Sequence, residues 1–162
     1  MVIIFMILSI VVLMSGTVFS QNAVNMNPPE QQPTVSVTMD KLSEDIDTSA
    51  DVAEPMVEVT GKVTMESTGP MVVSVNLTLH SLWNATVDPQ QFNLTIPTTG
   101  STDQVITVTV RAPLGIENNT DQKITISGTF SYINAITSAI LEKNISPAYV
   151  TIVAQNSTCV IL

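Results

Sequence analysis

Val105-Ile106-Thr107-Val108-Thr109-Val110-Arg111-Ala112-Pro113 alternates apolar and polar side chains from Ile106 to Arg111 and then stops at a proline. A period of two sends successive side chains to opposite faces of a strand, so Ile106, Val108 and Val110 share one face. β-Branched Val, Ile and Thr suit that pleated surface. The pattern recurs on both sides of this stretch. Val35, Val37 and Met39 share a face, as do Val57, Val59, Val63 and Met65 around Gly61. Val73, Val75, Leu77 and Leu79 follow the Gly69-Pro70 turn, and Phe92, Leu94 and Ile96 precede Pro97. Ile124, Ile126, Phe130 and Tyr132 make a sixth run, and Val150, Ile152 and Ala154 a seventh. Seven such runs with Gly, Pro, Asn or Asp between them predict an all-β fold, a seven-stranded antiparallel two-sheet sandwich. Its expected core includes Val59, Val75, Leu77, Ile106, Val108, Ile126 and Phe130.

Two stretches depart from this grammar. Over 40–53, Leu42, Ile46, Ala50 and Ala53 fall at helical spacing, which predicts a short helix in a connection. Over 133–143 the periodicity is mixed, which predicts a long hairpin connection. No long-period repeat is present, and one copy of the sandwich accounts for the length.

Ahead of the strands, Val2 to Met14 is apolar except for Ser9, then softens towards Val18-Phe19-Ser20-Gln21. Thirteen helical residues span only about 20 Å, short of a hydrocarbon core of about 30 Å. The expectation for 1–20 is a signal peptide cleaved after Ser20. No Lys or Arg precedes the run, so retention as a membrane anchor stays open. Residues 21–33 are rich in Pro, Asn and Gln and predict an exposed tether. The organisation expected is therefore 1–20 signal or anchor, 21–33 tether, 34–155 sandwich and 156–162 tail.

The chain has 162 residues, 44% of them hydrophobic, but only four Phe, two Tyr and one Trp, so aliphatic side chains must fill the core. Five Lys and Arg against 14 Asp and Glu give a formal charge of -9. That balance argues against nucleic acid, whose phosphates need a basic patch, and against attraction of the domain to an anionic membrane. Membrane contact is expected only through 1–20, if uncleaved. Cys159 is the single cysteine, so no disulfide can form within the chain.

The strands Val57-Glu58-Val59-Thr60-Gly61-Lys62-Val63-Thr64, Pro89-Gln90-Gln91-Phe92-Asn93-Leu94-Thr95-Ile96-Pro97 and Val105 to Pro113 carry a family likeness. The chain resembles the immunoglobulin-like modules of archaeal and bacterial cell-surface and secreted proteins. The resemblance covers 34–155, rests on strand and turn grammar, and implies a sandwich in an extracytoplasmic setting. It implies no catalytic residue.

Six tripeptides fit the N-glycosylation acceptor, beginning at Asn76, Asn84, Asn93, Asn118, Asn144 and Asn156. Asn76 and Asn93 alternate with inward residues and so are expected to point outward, while Asn84 and Asn118 are expected in loops. Pro147 behind Asn144-Ile145-Ser146 makes that acceptor the poorest. Asp40, Glu44, Asp45, Asp47, Asp51 and Glu54 form an acidic stretch, but a calcium loop of EF-hand type begun at Asp45 would need Gly and Glu where Ala50 and Met56 stand. A solvated connection is the reading that remains. His80 is the single histidine, without a nucleophile elbow such as G-x-S-x-G elsewhere in the chain. Trp83 is read as a plug between the sheets, with a sugar-stacking platform as the alternative. Cys159-Val160-Ile161-Leu162 has the form of a prenylation signal, yet an exported chain does not meet that cytoplasmic chemistry. The thiol is instead a candidate for an interchain disulfide.

These features predict a non-enzymatic glycoprotein of the cell envelope or extracellular space, without cofactor or metal, acting in adhesion, envelope structure or spacing. Its expected partners are protein or glycan at the cell surface. Two alternatives stand beside it. One is a filament or envelope subunit assembling by strand exchange through an edge, with Thr34–Met39 as donor. The other is a carbohydrate-binding accessory domain, which would need exposed aromatic side chains on one sheet face.

Overall fold

The computed structural model describes residues 31–156, and all their regular structure is β. The expected signal or anchor, most of the tether and Cys159 lie outside the described residues. Nine strands follow in order: β1 (Thr34–Met39), β2 (Ser43–Asp47), β3 (Met56–Ser67), β4 (Met71–His80), β5 (Asn84–Asp88), β6 (Gln91–Ile96), β7 (Gly100–Arg111), β8 (Asp121–Ile133) and β9 (Ile140–Gln155). One half of the sandwich is ordered β5-β7-β3-β1 and the other β2-β9-β8-β4-β6. The halves join where Ser36 of β1 bridges Ser146 of β9 in parallel. The β1-β3-β7-β5 sheet and the central β4-β8-β9 strands reproduce the immunoglobulin-type arrangement.

The alternation read from the sequence is the burial pattern observed. Val59, Val75, Leu77, Ile106, Val108, Ile126 and Phe130 are all buried in one core shared by the two halves. Two glycines let strands approach closely. A Cβ on Gly128 would lie 2.3 Å from the Asn76 carbonyl oxygen on β4, and one on Gly61 would lie 2.6 Å from that of Thr38 on β1.

Three local expectations are corrected. The stretch 40–53 is not a helix. Asp40 still bonds to β3, its N–H donating to the Thr60 carbonyl at 3.0 Å, and by Leu42 the chain has crossed to β9, where the Thr151 N–H donates to the Leu42 carbonyl at 2.9 Å. β2 then runs parallel to β9, burying Ile46 and leaving Leu42 exposed. A backbone edge on β9 thus outweighs the helical spacing. Secondly, the residues around Asn84 form β5, paired with β7 from Asn84 opposite Arg111 to Asp88 opposite Thr107. Thirdly, the hairpin loop is only 134–139, and Ile140–Lys143 belong to β9.

The mixed periodicity near the start of β9 has a specific cause. Gly128 lies opposite Ile145 but Ile126 lies opposite Ala148, so Ser146 and Pro147 together face Ser127 in a bulge. The core-facing positions are odd before it (Leu141, Lys143, Ile145) and even after it (Ala148, Val150, Ile152, Ala154), while Thr151, Val153 and Gln155 on the other face are half-buried. Proline lacks the N–H that a regular ladder position would use, and a bulge accommodates it.

The last residues of the expected tether are docked rather than free. Pro33 is buried, and the Lys143 Nζ donates to Gln32 Oε1 at 2.6 Å.

Candidate functional site

All six acceptor asparagines are exposed, whereas Asn134, which begins no acceptor tripeptide, is buried. Asn134 is used inside the fold: its Oδ1 accepts the N–H groups of Ile136 at 2.8 Å and Thr137 at 3.0 Å, fixing the 134–139 loop. The acceptor asparagines fall in three places. Asn76 of β4 and Asn144 of β9 both lie opposite Thr129 of β8, so the three form one row across the outer face. Asn93 of β6 lies opposite Ser74 in the neighbouring row. Asn84 opens β5 on the other half, and Asn118 and Asn156 sit together at the end of the sandwich where β9 finishes.

Among the described residues, hydrogen bonding leaves the reactive atom of these side chains uncommitted. The Ser74 hydroxyl donates to Asn93 Oδ1 at 2.8 Å, Gln91 Nε2 donates to Asn76 Oδ1 at 3.5 Å, and the Asn156 N–H donates to Asn118 Oδ1 at 2.8 Å. Each bond uses the carbonyl oxygen of the amide, and a glycan is attached through Nδ2. Asn76 and Asn93 also line a shallow depression of about 620 Å³ on the second sheet, with Ser74, Gln91, Thr129 and Ser131 around them. Glu142 is its one ionisable lining residue.

The other singled-out residues are dispersed. His80 ends β4, exposed and opposite Thr125. The acids of 40–54 are distributed along β2 and its flanks, not gathered in a loop. Lys41 pairs with Glu44 at 2.6 Å, Arg111 pairs with Glu54 at 2.7 Å, and Asp40 Oδ2 accepts the Thr60 hydroxyl at 2.6 Å. Asp47 Oδ1 accepts the Ser49 N–H at 2.9 Å, and hydrogen bonding from the Ser49 backbone and side chain holds its carboxyl below the ordinary 3.8. Among the described residues no three His, Cys, Asp or Glu gather as a metal site. Trp83 is buried, which corrects the sugar-platform alternative: its ring lies in the core and its backbone N–H donates to Ser81 Oγ at 3.0 Å. An exposed aromatic that the sequence reading passed over is Tyr149, with the Lys123 Nζ 4.0 Å from its ring centroid.

No protein-family model matches the sequence, and no curated protein matches it. Among solved structures it is similar to AggA, the major subunit of aggregative adherence fimbriae type I from Escherichia coli, at 8% identity and TM-score 0.45, over 76% of this chain and 96% of that one. It is similar to WR4, a C. elegans MSP family member, at 12% identity and TM-score 0.37, over 73% and 96%. The PapD-like domain 7 of human CEP192 gives 14% identity and TM-score 0.37, over 75% and 84%. Values this low confine the likeness to a coarse immunoglobulin-like sandwich.

Proposed function

We propose that the chain is a non-catalytic glycoprotein module of the cell envelope or extracellular space, acting through surface contact in adhesion, envelope structure or spacing. The exposure of all six acceptor asparagines carries this reading. Their positions allow glycans on both halves of the sandwich and at one end, a distribution suited to a displayed body more than to a substrate cleft. The engagement of the acids in ion pairs and turn bonds supports partner contact over acid-base chemistry. Intact-mass measurement of the natively produced protein is the test. The expected mass exceeds that of the polypeptide by whole glycans, and a bare polypeptide mass overturns the reading.

A second reading, a filament or envelope subunit assembling by strand exchange, draws on β1. It is paired along its whole length with β3 but bridged to β9 only at Ser36. Were β1 to leave, β3 would offer an open edge to the same segment of a neighbour. In this reading, refolding with excess Thr34–Met39 peptide blocks assembly into particles larger than a monomer. Assembly that is indifferent to the peptide counts against it.

A further inference from the structure

We propose that the end of the sandwich opposite Asn118 and Asn156 rests on a lipid surface, specifically a bilayer with neutral zwitterionic headgroups. The inference takes the surface location from the reading above and adds which end faces the bilayer. Four aliphatic side chains stand out at this end: Val72 is 55% exposed, Ile133 64%, Ile136 50% and Ile140 75%. Ile133 and Ile140 are cross-strand partners, and Ile136 is in the loop that joins them. Beside them runs a groove of about 450 Å³ whose lining, Pro70, Met71, Ile96, Pro97 and Ala135 among others, includes no charged side chain. Contiguous exposed apolar surface of this kind marks a contact site. Leu42, Met56, Leu82 and Leu114 are also exposed, on segments towards the opposite end, but the depression beside Leu82 is lined by His80 and the charged Lys123.

Two observations identify lipid as the occupant. Gln31 lines the same groove, so the chain enters the sandwich at this end, and the sequence before it leads back to the apolar run from Val2 to Met14. Where 1–20 is retained as an anchor, residues 21–30, fully extended, span at most roughly 36 Å, which keeps this end near the bilayer. Acceptor asparagines are also absent from the connections at this end. Asn93 comes nearest, one row along from Val72 on the same face, and it shares its depression with Ile140. With a formal charge of -9 the contact is apolar and not electrostatic, so anionic lipid weakens it.

The test uses the natively produced protein carrying Cys159→Ser, with an environment-sensitive fluorophore on Ile136→Cys or, as a control at the other end, on Glu117→Cys. Each is mixed with phosphatidylcholine vesicles containing a nitroxide-labelled lipid. Expected are a blue shift and quenching at position 136 several-fold stronger than at 117. Both should be at least halved by Ile133→Ser with Ile140→Ser, and reduced when phosphatidylserine is added. Equal quenching at the two positions overturns the proposal. So does a blue shift that follows protein concentration without vesicles, which would assign the surface to a second copy of the chain. The readout is independent of glycan mass, so this proposal and the glycoprotein reading fail separately.

Discussion

The backbone N–H of Asn156 donates to the side-chain oxygen of Asn118 at 2.8 Å, tying the end of β9 to the β7–β8 connection through two acceptor asparagines. Glycan attachment and structural bonding at Asn118 can be separated, because they use different atoms of one amide. Thr120→Ala abolishes the acceptor and keeps the bond, so the melting temperature of unglycosylated protein should stay unchanged. Asn118→Ala removes both and should cost about 0.5–1.5 kcal/mol. Thermal unfolding alongside intact mass checks the pair.

Gly128→Ala should destabilise by about 1–3 kcal/mol, because the added methyl meets the Asn76 carbonyl and the β4–β8 rung cannot open without losing its bonds. In urea the midpoint should fall with the slope preserved. A midpoint equal to wild type would show that the strands part at no cost.

Leu77 is completely buried between the halves. Leu77→Ala should cost about 2–5 kcal/mol through lost transfer energy and the cavity left behind, measured by the same urea transition.

The Tyr132 hydroxyl is buried without a hydrogen-bond partner among the described residues. An unsatisfied buried donor is a cost to folding, so Tyr132→Phe should leave stability equal or raise it by up to about 1 kcal/mol. A clear loss on calorimetry would reveal a partner for that hydroxyl.

Asp47 binds its proton less readily in the folded protein than in the unfolded chain, because the Ser49 bonds favour the carboxylate. Its contribution to stability is present above the unfolded value near 3.8 and is lost as pH falls through the lower folded value. Side-chain NMR titration should place the Asp47 midpoint below 3.8, and Ser49→Pro, which removes the N–H donor, should bring it back towards that figure.

Strands such as Met56–Ser67, Met71–His80 and Gly100–Arg111 were legible because each buries one face, which period-two alternation reports directly. β2 was hidden for the opposite reason. It is five residues long, buries only Ile46 and pairs with a strand a hundred residues away, so nothing local distinguishes it from a helix. β5 was hidden because its inward side chains, Ala85 and Val87, are only half-buried. At the candidate site, alternation foretold the outward direction of Asn76 and Asn93. The meeting of Asn118 with Asn156 depends on the closing of β8 onto β9, a relation between distant segments that no motif encodes.

β9 is written in two frames. Upstream of Ser146 the odd positions belong to the interior, and downstream of Pro147 the even ones do. Loss of a single residue there would merge the frames into one unbroken alternation, removing the kink while Ile145 and Val150 both keep their places in the interior. The Ser-Pro dipeptide is thus the strand's punctuation mark, and the acceptor tripeptide that ends on Ser146 shares its letters with it.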